Sequence, residues 1–294
     1  MPASGVPKAP HSELLSLEQL GDTVEFLVER AGIERVKLTG GEPLVRAGLE
    51  GLIRRVAGMA GVREVSLTSN ASLLGRMAEP LRRAGLQRVN ISLDSLDPAR
   101  FAELTRGGRL ADALEGIRAA QQAGLLPIKL NAVLQRSGWE QDVPRLLDFA
   151  AENGFELRFI ELMRTGTERE WCAEEFISAD AVQDWLARQA PVKSVEGPAE
   201  APAKRTEVNW RGQRLVLGWI TPRSHPFCNK CERVRLDARG RLRRCLMDPQ
   251  FLELGSILQQ SGREDAAEAY AAYLSGKHAP KTMESTSAMN LIGG

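Results

Sequence analysis

The chain has 294 residues, of which 43% are hydrophobic and 26% are charged, and its formal net charge is +1. This is the composition of a folded globular protein, and the near-neutral charge gives no overall field that would attract nucleic acid or an anionic membrane. No apolar run approaches the roughly 20 residues of a membrane helix, and the first residues lack the charged start and apolar core of a signal peptide. We therefore expect a cytoplasmic protein that has neither nucleic acid nor a membrane as a partner.

Short β-branched runs alternate with helical stretches up to about residue 161. The periodicity predicts strands over 35–39, 64–68, 88–93, 127–133 and 155–160. It predicts helices over 17–31, 49–60, 72–84, 110–123 and 140–153. Ser16 and Gln19 fit a capping box at the start of the first helix, and Asp97 before Pro98 is a second helix-start signal. Strand–helix alternation with short links predicts right-handed βαβ units and a parallel sheet, built as a partial barrel or as a doubly wound sheet.

The character of the sequence changes after Gly166. The second part is predicted to contain a helix over 178–189, a loop over 197–204, hairpin-like strands over 206–220 and 234–242, and a helical stretch over 249–278. We therefore divide the chain into a barrel-like domain over 1–166 and a C-terminal extension over 167–294.

Polar residues recur where the predicted strands end, which is the edge that carries the active site in parallel βα folds. The first strand runs into Thr39-Gly40-Gly41-Glu42-Pro43, where glycines let the backbone approach a ligand and Glu42 offers an acceptor for a cation. A tight turn would explain the same residues. The other strands end at or pass polar residues and a methionine, namely Thr68, Ser69, Asn70, Ser92, Asp94, Ser95, Lys129, Asn131, Arg158, Glu161 and Met163. Their recurrence on one edge predicts a pocket.

Lys129, Asn131 and Val133 alternate within an apolar run and so share one face of their strand. A lysine inside a barrel is costly unless it meets an anion, which points to a phosphate or carboxylate ligand. A lysine that reaches the barrel rim with its ammonium in water is the simpler explanation.

Three of the four cysteines form a cluster, with Cys228 and Cys231 in a C-x2-C motif and Cys245 further along. Metal binding is favoured over disulfides because no secretory signal accompanies them. Three thiolates suit an iron–sulfur cluster with one open iron, or a zinc site with His225 as the fourth ligand, and the spacing leaves both open. Cys172 is predicted to be a buried apolar thiol.

Arg233 and Arg235 follow the C-x2-C motif with the spacing of one strand face. Beside a metal site they would form a local trap for an anion. A solvated charged face is the alternative, since further arginines follow at 239, 241, 243 and 244.

Several segments together resemble one family, the radical SAM (S-adenosylmethionine) GTP 3',8-cyclases of molybdenum cofactor biosynthesis. The matching segments are TGGEPL at 39–44, LTSN at 67–70, NISLDSLD at 90–97, IKLNAVL at 128–134, RFIELM at 158–163, FCNKCERVRLDARGRLRRCL at 227–246 and the final Gly293-Gly294. TGGEP alone indicates only the wider radical SAM superfamily. The cysteine segment with its R-x-R motif, joined to a Gly-Gly end, is more specific and favours iron–sulfur over zinc.

The resemblance implies an α/β fold, a partial (βα)6-type radical SAM barrel lacking its first strand, with a C-terminal α+β extension that carries a second 4Fe–4S cluster. The implied cluster ligands are Cys228, Cys231 and Cys245. The implied SAM-binding residues are Gly41, Ser92 and Met163. The implied GTP-binding residues are Lys37, Thr68, Lys129, Arg233 and Arg235. Gly293 and Gly294 resemble the catalytic tail that reaches into the active site.

The reaction that the resemblance implies is that of a lyase. A reduced first cluster cleaves SAM to a 5'-deoxyadenosyl radical, which takes hydrogen from the ribose C3' of GTP, and the carbon radical attacks C8 of the purine. The product is (8S)-3',8-cyclo-7,8-dihydroguanosine 5'-triphosphate. The implied partners are GTP, SAM, an electron donor and, as the next enzyme of the pathway, cyclic pyranopterin monophosphate synthase. The resemblance is also compatible with a homodimer.

One family feature is expected to be missing from these residues. Members open with a strand and a C-x3-C-x2-C motif that binds the first cluster, whereas this chain begins Met1-Pro2, which often follows that motif. We expect the polypeptide as written to lack the first cluster, the first barrel strand and an upstream GTP-binding arginine, and to make no 5'-deoxyadenosine. A start of translation further upstream and a shortened paralogue that binds GTP without turnover both explain this beginning.

Other functions fit parts of the pattern. A GTP-binding scaffold with one cluster is the non-catalytic alternative. A peptide-maturing radical SAM enzyme usually carries more C-terminal cysteines and gives no reason for the R-x-R motif or the Gly-Gly end. A zinc-binding nucleic-acid module is disfavoured by the neutral charge and by the lack of interleaved aromatic and basic residues.

Overall fold

The fold was analysed in a computed structural model, which describes residues 10–165, 169–196, 202–228, 231–277, 279–280 and 284–285. The helices are α1 (Leu17–Ala31), α2 (Leu49–Ala57), α3 (Leu74–Arg83), α4 (Pro98–Thr105), α5 (Leu110–Gln122), α6 (Trp139–Asn153), α7 (Arg169–Glu174), α8 (Ala179–Gln189), α9 (Leu254–Gln260) and α10 (Gly262–Ser275). The strands are β1 (Arg35–Leu38), β2 (Glu64–Ser69), β3 (Arg88–Ser92), β4 (Lys129–Leu134), β5 (Glu156–Glu161), β6 (Arg164–Thr165), β7 (Val192–Val195), β8 (Lys204–Trp210), β9 (Gln213–Ile220), β10 (Arg235–Leu236), β11 (Leu242–Arg243) and β12 (Glu284–Ser285).

The main feature is an eight-stranded sheet in the order β1-β2-β3-β4-β5-β9-β8-β7. Strands β1 to β5 are parallel to their neighbours, β9 is parallel to β5, and β8 and β7 continue the sheet in antiparallel pairing. The predicted α/β class with a parallel, partial barrel is confirmed. The sheet continues across residue 166, so strands of the C-terminal half extend the barrel sheet, and the division at 166 stays a prediction.

The predicted capping box at the start of α1 is present. The Ser16 hydroxyl accepts a hydrogen bond from the Gln19 backbone N–H at 3.1 Å, and the Gln19 side chain accepts one from the Ser16 N–H at 2.8 Å. Asp97 caps α4 with its carboxylate, which accepts hydrogen bonds from the backbone N–H groups of Ala99 and Arg100. These short-range signals place both helix starts as the sequence predicts.

The helical stretch predicted over 249–278 is wrong as one continuous element. Residue 252 pairs with Leu242 as an extended bridge, and the helical residues that follow form two helices. The break lies at Ser261 and Gly262, where Gly262 adopts φ 89°. A glycine in this left-handed conformation ends one helix and lets the next begin in a new direction.

The core forms between one face of the sheet and the helices. Leu67, Ile91, Leu130, Leu157 and Leu217 come from five neighbouring strands and are all fully buried there. Because side chains alternate along a strand, the residues between them point to the opposite side of the sheet. We call that opposite side the open face.

A second apolar cluster joins α1 to the C-terminal helices. Phe26 and Leu27 of α1 pack with Leu242, Leu254 and Ala266. Tyr270 of α10 meets Phe26 edge-on, with ring centroids 6.3 Å apart. This cluster fixes α9 and α10 against the first helix of the barrel. Among the described residues, none of the helices has both the length and the apolar character needed to cross a membrane.

Candidate active site

The open face carries polar side chains that lie in rows across the parallel strands. Cα partners run from Lys37 to Ser66 and Arg88, from Thr68 to Asn90, Lys129 and Glu156, and from Ser92 to Asn131, Arg158 and Gly218. Partners in register point to the same side of a sheet. The structure therefore brings four residues predicted from the sequence, Lys37, Thr68, Ser92 and Lys129, onto one surface.

Glu156 lies at the centre of this surface, and three cations surround its carboxylate. Arg158 Nε lies 2.7 Å from Oε1, Arg205 Nη2 lies 3.0 Å from Oε2, and Lys129 Nζ lies 3.5 Å from Oε2. Burial acts to raise the pKa of Glu156, but these three charges outweigh it and lower the pKa. One carboxylate among three cations leaves an excess of positive charge, which is what an anionic ligand requires.

Lys37 adds a further cation at the edge strand β1. Its side chain is exposed by accessible surface, yet enough protein surrounds the ammonium for burial to be the first cause that lowers its pKa to about 8. The positive charges of Arg88, Arg158 and Arg233 act in the same direction. The influence of Arg233 also shows that the cysteine segment lies within electrostatic reach of the open face.

The predicted SAM-binding residues lie at the carboxyl ends of strands. Gly41 follows β1 and is exposed, Ser92 ends β3 and is exposed, and Met163 follows β5. Beside Gly41, Gly40 adopts φ 145°, and a Cβ there would meet no atom within 4 Å. The backbone of this turn is thus open to a close approach by a ligand.

The carboxylate of Glu42, which the sequence predicts as an acceptor for a cation, binds hydrogen-bond donors of the protein, and its role towards a cation stays a prediction. It accepts hydrogen bonds from the Ser69 hydroxyl at 3.0 and 3.1 Å, from the Asn70 N–H at 2.8 Å and from the Leu44 N–H at 3.1 Å. These donors come from the turn that follows β1 and from the end of β2. Glu42 therefore holds the ends of β1 and β2 together and shapes the turn that carries Gly41.

The three clustered cysteines lie near one another, since the charges of Cys245 and Cys231 act on Cys228. Burial raises the pKa of Cys228, and the negative charges of Cys245 and Cys231 add to the effect. Burial also acts to raise the pKa of Cys231, but hydrogen bonds from the backbone and guanidinium of Arg233 outweigh it and lower the pKa. The thiols are half-buried and none forms a disulfide. The Cys245 sulfur accepts a hydrogen bond from the Met247 N–H at 3.4 Å. N–H donors directed at sulfur favour thiolates over thiols.

The donor set fits an iron–sulfur cluster better than a zinc ion. Within the described ranges, no three His, Cys, Asp or Glu side chains converge as a single ion would require. His225, the alternative fourth zinc ligand, pairs instead with Asp180, with Nε2 at 2.9 and 3.0 Å from the carboxylate oxygens. Three thiolates match the ligand number of a 4Fe–4S cluster with one iron left open, whereas a structural zinc site would need a fourth ligand.

Arg233 and Arg235 lie beside these thiols. Burial lowers the pKa of Arg235 to about 10, the charge of Arg233 acts in the same direction, and the charges of Cys231 and Cys245 oppose them. The guanidinium of Arg233 also lies 5.3 Å from the ring centroid of Phe227. The two arginines therefore connect the cysteine cluster with the cations of the open face.

Residues 284–285, the last ones that the structure describes, lie at the same edge of the sheet. Strand β12 pairs in parallel with β6, with Glu284 opposite Arg164. Strand β6 begins directly after Met163. The predicted catalytic residues Gly293 and Gly294 lie outside the described residues.

Sequence reasoning missed several residues of the open face. Glu156 has a detectable signal, because it alternates with Arg158 in the same way as Lys129 with Asn131. Arg205 has none, since it reaches the face from β8 through long-range pairing with β9. Gly218 leaves room for the side chain of Arg158, because a Cβ at position 218 would lie 2.9 Å from Cγ of Arg158.

Two family models cover most of the chain. The Radical SAM superfamily matches residues 3–150, and Molybdenum Cofactor Synthesis C matches residues 155–283. The GTP 3',8-cyclase of Pelotomaculum thermopropionicum is 42% identical over 91% of this chain and 82% of its own length. That of Moorella thermoacetica is 39% identical over 100% of this chain and 92% of its own length. GTP 3',8-cyclase 1 of Pseudomonas aeruginosa is 41% identical over 87% of this chain and 77% of its own length.

Solved structures are less similar. SuiB of Streptococcus suis bound to S-adenosylmethionine covers 60% of this chain at 18% identity with a TM-score of 0.45, too low to carry an argument. The sequence similarity is decisive by itself, because both halves of the chain match and the relatives align over most of their length. The chain belongs to the GTP 3',8-cyclase family of the radical SAM superfamily.

Proposed function

We propose that this chain binds GTP on the open face as the substrate of the GTP 3',8-cyclase reaction for which its relatives are named. The product of that reaction would be (8S)-3',8-cyclo-7,8-dihydroguanosine 5'-triphosphate, and turnover would also need a first cluster that Cys228, Cys231 and Cys245 do not supply. The observation that carries the proposal is the concentration of cations around Glu156. Arg233 links this region to the cysteines, because its charge acts on Lys37 and its N–H groups bond Cys231. The cations would bind the triphosphate of GTP, and the cluster at the cysteines would bind its purine.

In this arrangement the triphosphate lies against Lys37, Lys129, Arg233 and Arg235. Each of the two lysines has a pKa that its surroundings lower, so each gains from an added negative charge. Arg235 is held among like charges and burial in the same way. An anion placed among these side chains neutralises repulsion that the protein carries without it. Thr68, in the same row as Lys129, adds a hydroxyl for a polar contact.

Cys228, Cys231 and Cys245 would hold the second 4Fe–4S cluster, whose open iron would supply a coordination position for the purine. The hydrogen bonds of Arg233 to Cys231 favour the thiolate that such binding needs. Gly41, Ser92 and Met163 would bind SAM at the carboxyl edge of the sheet. Gly293 and Gly294 would enter the site as a tail, since β12 starts that tail beside β6.

The metal proposal is tested by anaerobic reconstitution followed by measurement of iron, zinc and GTP binding. About four iron atoms per chain are expected. Replacing each of Cys228, Cys231 and Cys245 by serine should remove the iron and weaken GTP binding, whereas Cys172→Ala, at a buried thiol outside the cluster, should leave both unchanged. One tightly bound zinc, or iron and GTP binding that survive the serine replacements, would refute the proposal.

Turnover is a separate question with a separate measurement. SAM cleavage in this superfamily takes three further cluster thiolates, and Cys172 is the other cysteine in these 294 residues. We therefore propose that this polypeptide alone binds GTP and one cluster without producing 5'-deoxyadenosine. Detection of that product from the pure protein with SAM and reductant would contradict this and would favour full activity.

A further inference from the structure

The two segments that carry the cysteines contain little regular structure of their own. Cys228 and Cys231 lead into β10, Cys245 follows β11, and each of these strands has two residues. We call 231–235 the first cysteine arm and 244–250 the second. The antiparallel pairing of β10 with β11 joins the arms at one end only, with Arg235 opposite Arg243. A two-stranded pairing this short is weak by itself, so the rest of each arm depends on further contacts. Those contacts come from the end of α10.

Tyr273 of α10 holds the second cysteine arm. Its hydroxyl donates a hydrogen bond to the Gln250 carbonyl oxygen at 2.9 Å and accepts one from the Arg244 N–H at 3.4 Å. The Arg244 guanidinium lies 4.8 Å from the centroid of the tyrosine ring and donates to the Tyr273 carbonyl oxygen at 3.0 Å. Arg244 also bonds the side chains of Asp248 and Gln250 within the arm. Tyr273 thus contacts both ends of the segment that contains Cys245.

Lys277 holds the first cysteine arm from the same end of α10. Its ammonium donates a hydrogen bond to the Arg233 carbonyl oxygen at 2.7 Å. The Lys277 N–H bonds the Leu274 carbonyl oxygen at 2.8 Å, which fixes the residue to the last turn of the helix. Tyr273 lies in the last turn of α10 and Lys277 lies two residues beyond the end of the helix, so this one end of α10 reaches both arms.

Helix α10 can act as a fixed reference because it is packed against the barrel. Ala266 is fully buried in the cluster with Phe26 and Leu254, and Arg263 pairs with Glu29 of α1. A side chain on a helix held in this way has a defined position relative to the rest of the fold. The contacts from Tyr273 and Lys277 therefore fix the positions of the two arms relative to the barrel.

We propose that Tyr273 and Lys277 are positioning residues for the metal site: together they clamp the two cysteine arms and set the separation of Cys245 from Cys231. The inference rests on the proposed cluster at Cys228, Cys231 and Cys245. Outer contacts of this kind orient metal ligands, and their loss typically costs about 10–100-fold in metal affinity.

The test compares reconstituted Tyr273→Phe and Lys277→Met with the parent protein. Tyr273→Phe keeps the ring beside Arg244 and removes only the hydroxyl contacts. The readouts are iron per chain, the rate of iron release to a chelator, and the electron paramagnetic resonance spectrum of the reduced cluster. Each variant is expected to release iron about 10-fold faster than the parent, with an altered spectrum. Lys277→Arg should restore slow release, because a guanidinium also donates to the Arg233 carbonyl oxygen.

Tyr270→Phe is the matched control, because Tyr270 lies one turn earlier on α10 and packs against Phe26. It should release iron at the parent rate. Thermal unfolding of the iron-free proteins identifies a purely structural effect. Parent-like release and spectra in both Tyr273→Phe and Lys277→Met overturn the clamp, whatever the unfolding curves show. Faster release that Tyr270→Phe reproduces to the same extent also overturns it. A parent protein that takes up no iron refutes the proposed cluster, which is a different result.

Discussion

Arg158 Nε donates a hydrogen bond to Glu156 Oε1 at 2.7 Å, although the two residues are only two positions apart on β5. Side chains at this spacing point to the same side of a strand, so the bond lies along the open face. It places a guanidinium across Gly218 of β9, where a Cβ would come 2.9 Å from Cγ of Arg158. The positions of the cations on this face therefore depend on one carboxylate and one glycine.

Removing the charge of Glu156 should destabilise the fold. Its side chain is 9% exposed, and those of Lys129, Arg158 and Arg205 are 17%, 15% and 32% exposed. In Glu156→Gln the three cations lose their counter-charge, and we expect the free energy of unfolding in urea at about pH 7 to fall by about 3 kcal/mol. Glu79→Gln, which breaks an exposed pair with Arg83, is the control and should change it by less than about 0.5 kcal/mol.

The same pair of proteins should show a defined dependence on pH. The pKa of Glu156 is lowered in the fold, so its contribution is complete above its ordinary value of 4.5 and is lost as the pH falls through the folded value. The difference between parent and Glu156→Gln should therefore be largest near neutral pH and shrink in acid. A difference that stays constant down to about pH 3 would rule out the charge as its cause.

GTP affinity should decline in alkali because of Lys37. Its pKa is about 8, so the ammonium is charged below this value and neutral above it. Bound triphosphate favours the charged form, and affinity should therefore fall by up to about tenfold per pH unit above about 8. Calorimetric titration of GTP into the protein between about pH 7 and pH 9 measures this. Lys37→Arg should flatten the profile, since arginine stays charged; an unchanged profile would exclude Lys37 as its source.

Gly218→Ala should weaken GTP binding without unfolding the protein. The new Cβ would meet Cγ of Arg158 at 2.9 Å and Cβ of Ala203 at 3.3 Å, so the Arg158 side chain must move. We expect about a tenfold rise in the dissociation constant, which is about 1.4 kcal/mol. Gly51→Ala is the control: a Cβ there meets no atom within 4 Å, and alanine in α2 should leave GTP binding unchanged. Equal dissociation constants for Gly218→Ala and the parent would show that Arg158 keeps its place.

Replacing Glu161 should destabilise the fold through lost backbone hydrogen bonds rather than through lost ion pairs. It is fully buried, and its carboxylate accepts backbone hydrogen bonds from Ala179, Arg223 and Ser224 at 2.9–3.0 Å. In Glu161→Gln an amide NH2 must face at least one of these donors, and the free energy of unfolding should fall by about 3 kcal/mol. Glu152→Gln, on the exposed side of α6, should have almost no effect on the urea midpoint. A parent-like midpoint for Glu161→Gln would contradict this account.

Local patterns predicted the barrel well because each strand and helix carries its own periodicity. The strands near 35–39, 64–68 and 88–93 and the capping box at Ser16 all appear where the sequence places them. The shared face of Lys129 and Asn131 follows from the same alternation.

The features that the sequence did not predict are contacts between residues far apart along the chain. Arg205 reaches Glu156 only because β8 joins the sheet through β9. Glu42 bonds Ser69 because the ends of β1 and β2 meet, a pairing that the GGEP motif does not encode. The cluster ligands are tested by the serine replacements proposed above, and the SAM-binding residues and the Gly-Gly tail stay predictions.

The packing of Phe26 of α1 with Leu242, Leu254 and Ala266 has a practical consequence. A barrel helix and the region beside the cysteines share one apolar interior, so the two regions should melt as a single cooperative unit. A cluster bound to the cysteines of the folded protein would then raise the free energy of unfolding of the whole unit by mass action. A simple melting curve would serve as an assay of cluster loading, and damage by oxygen would appear first as a lower transition temperature.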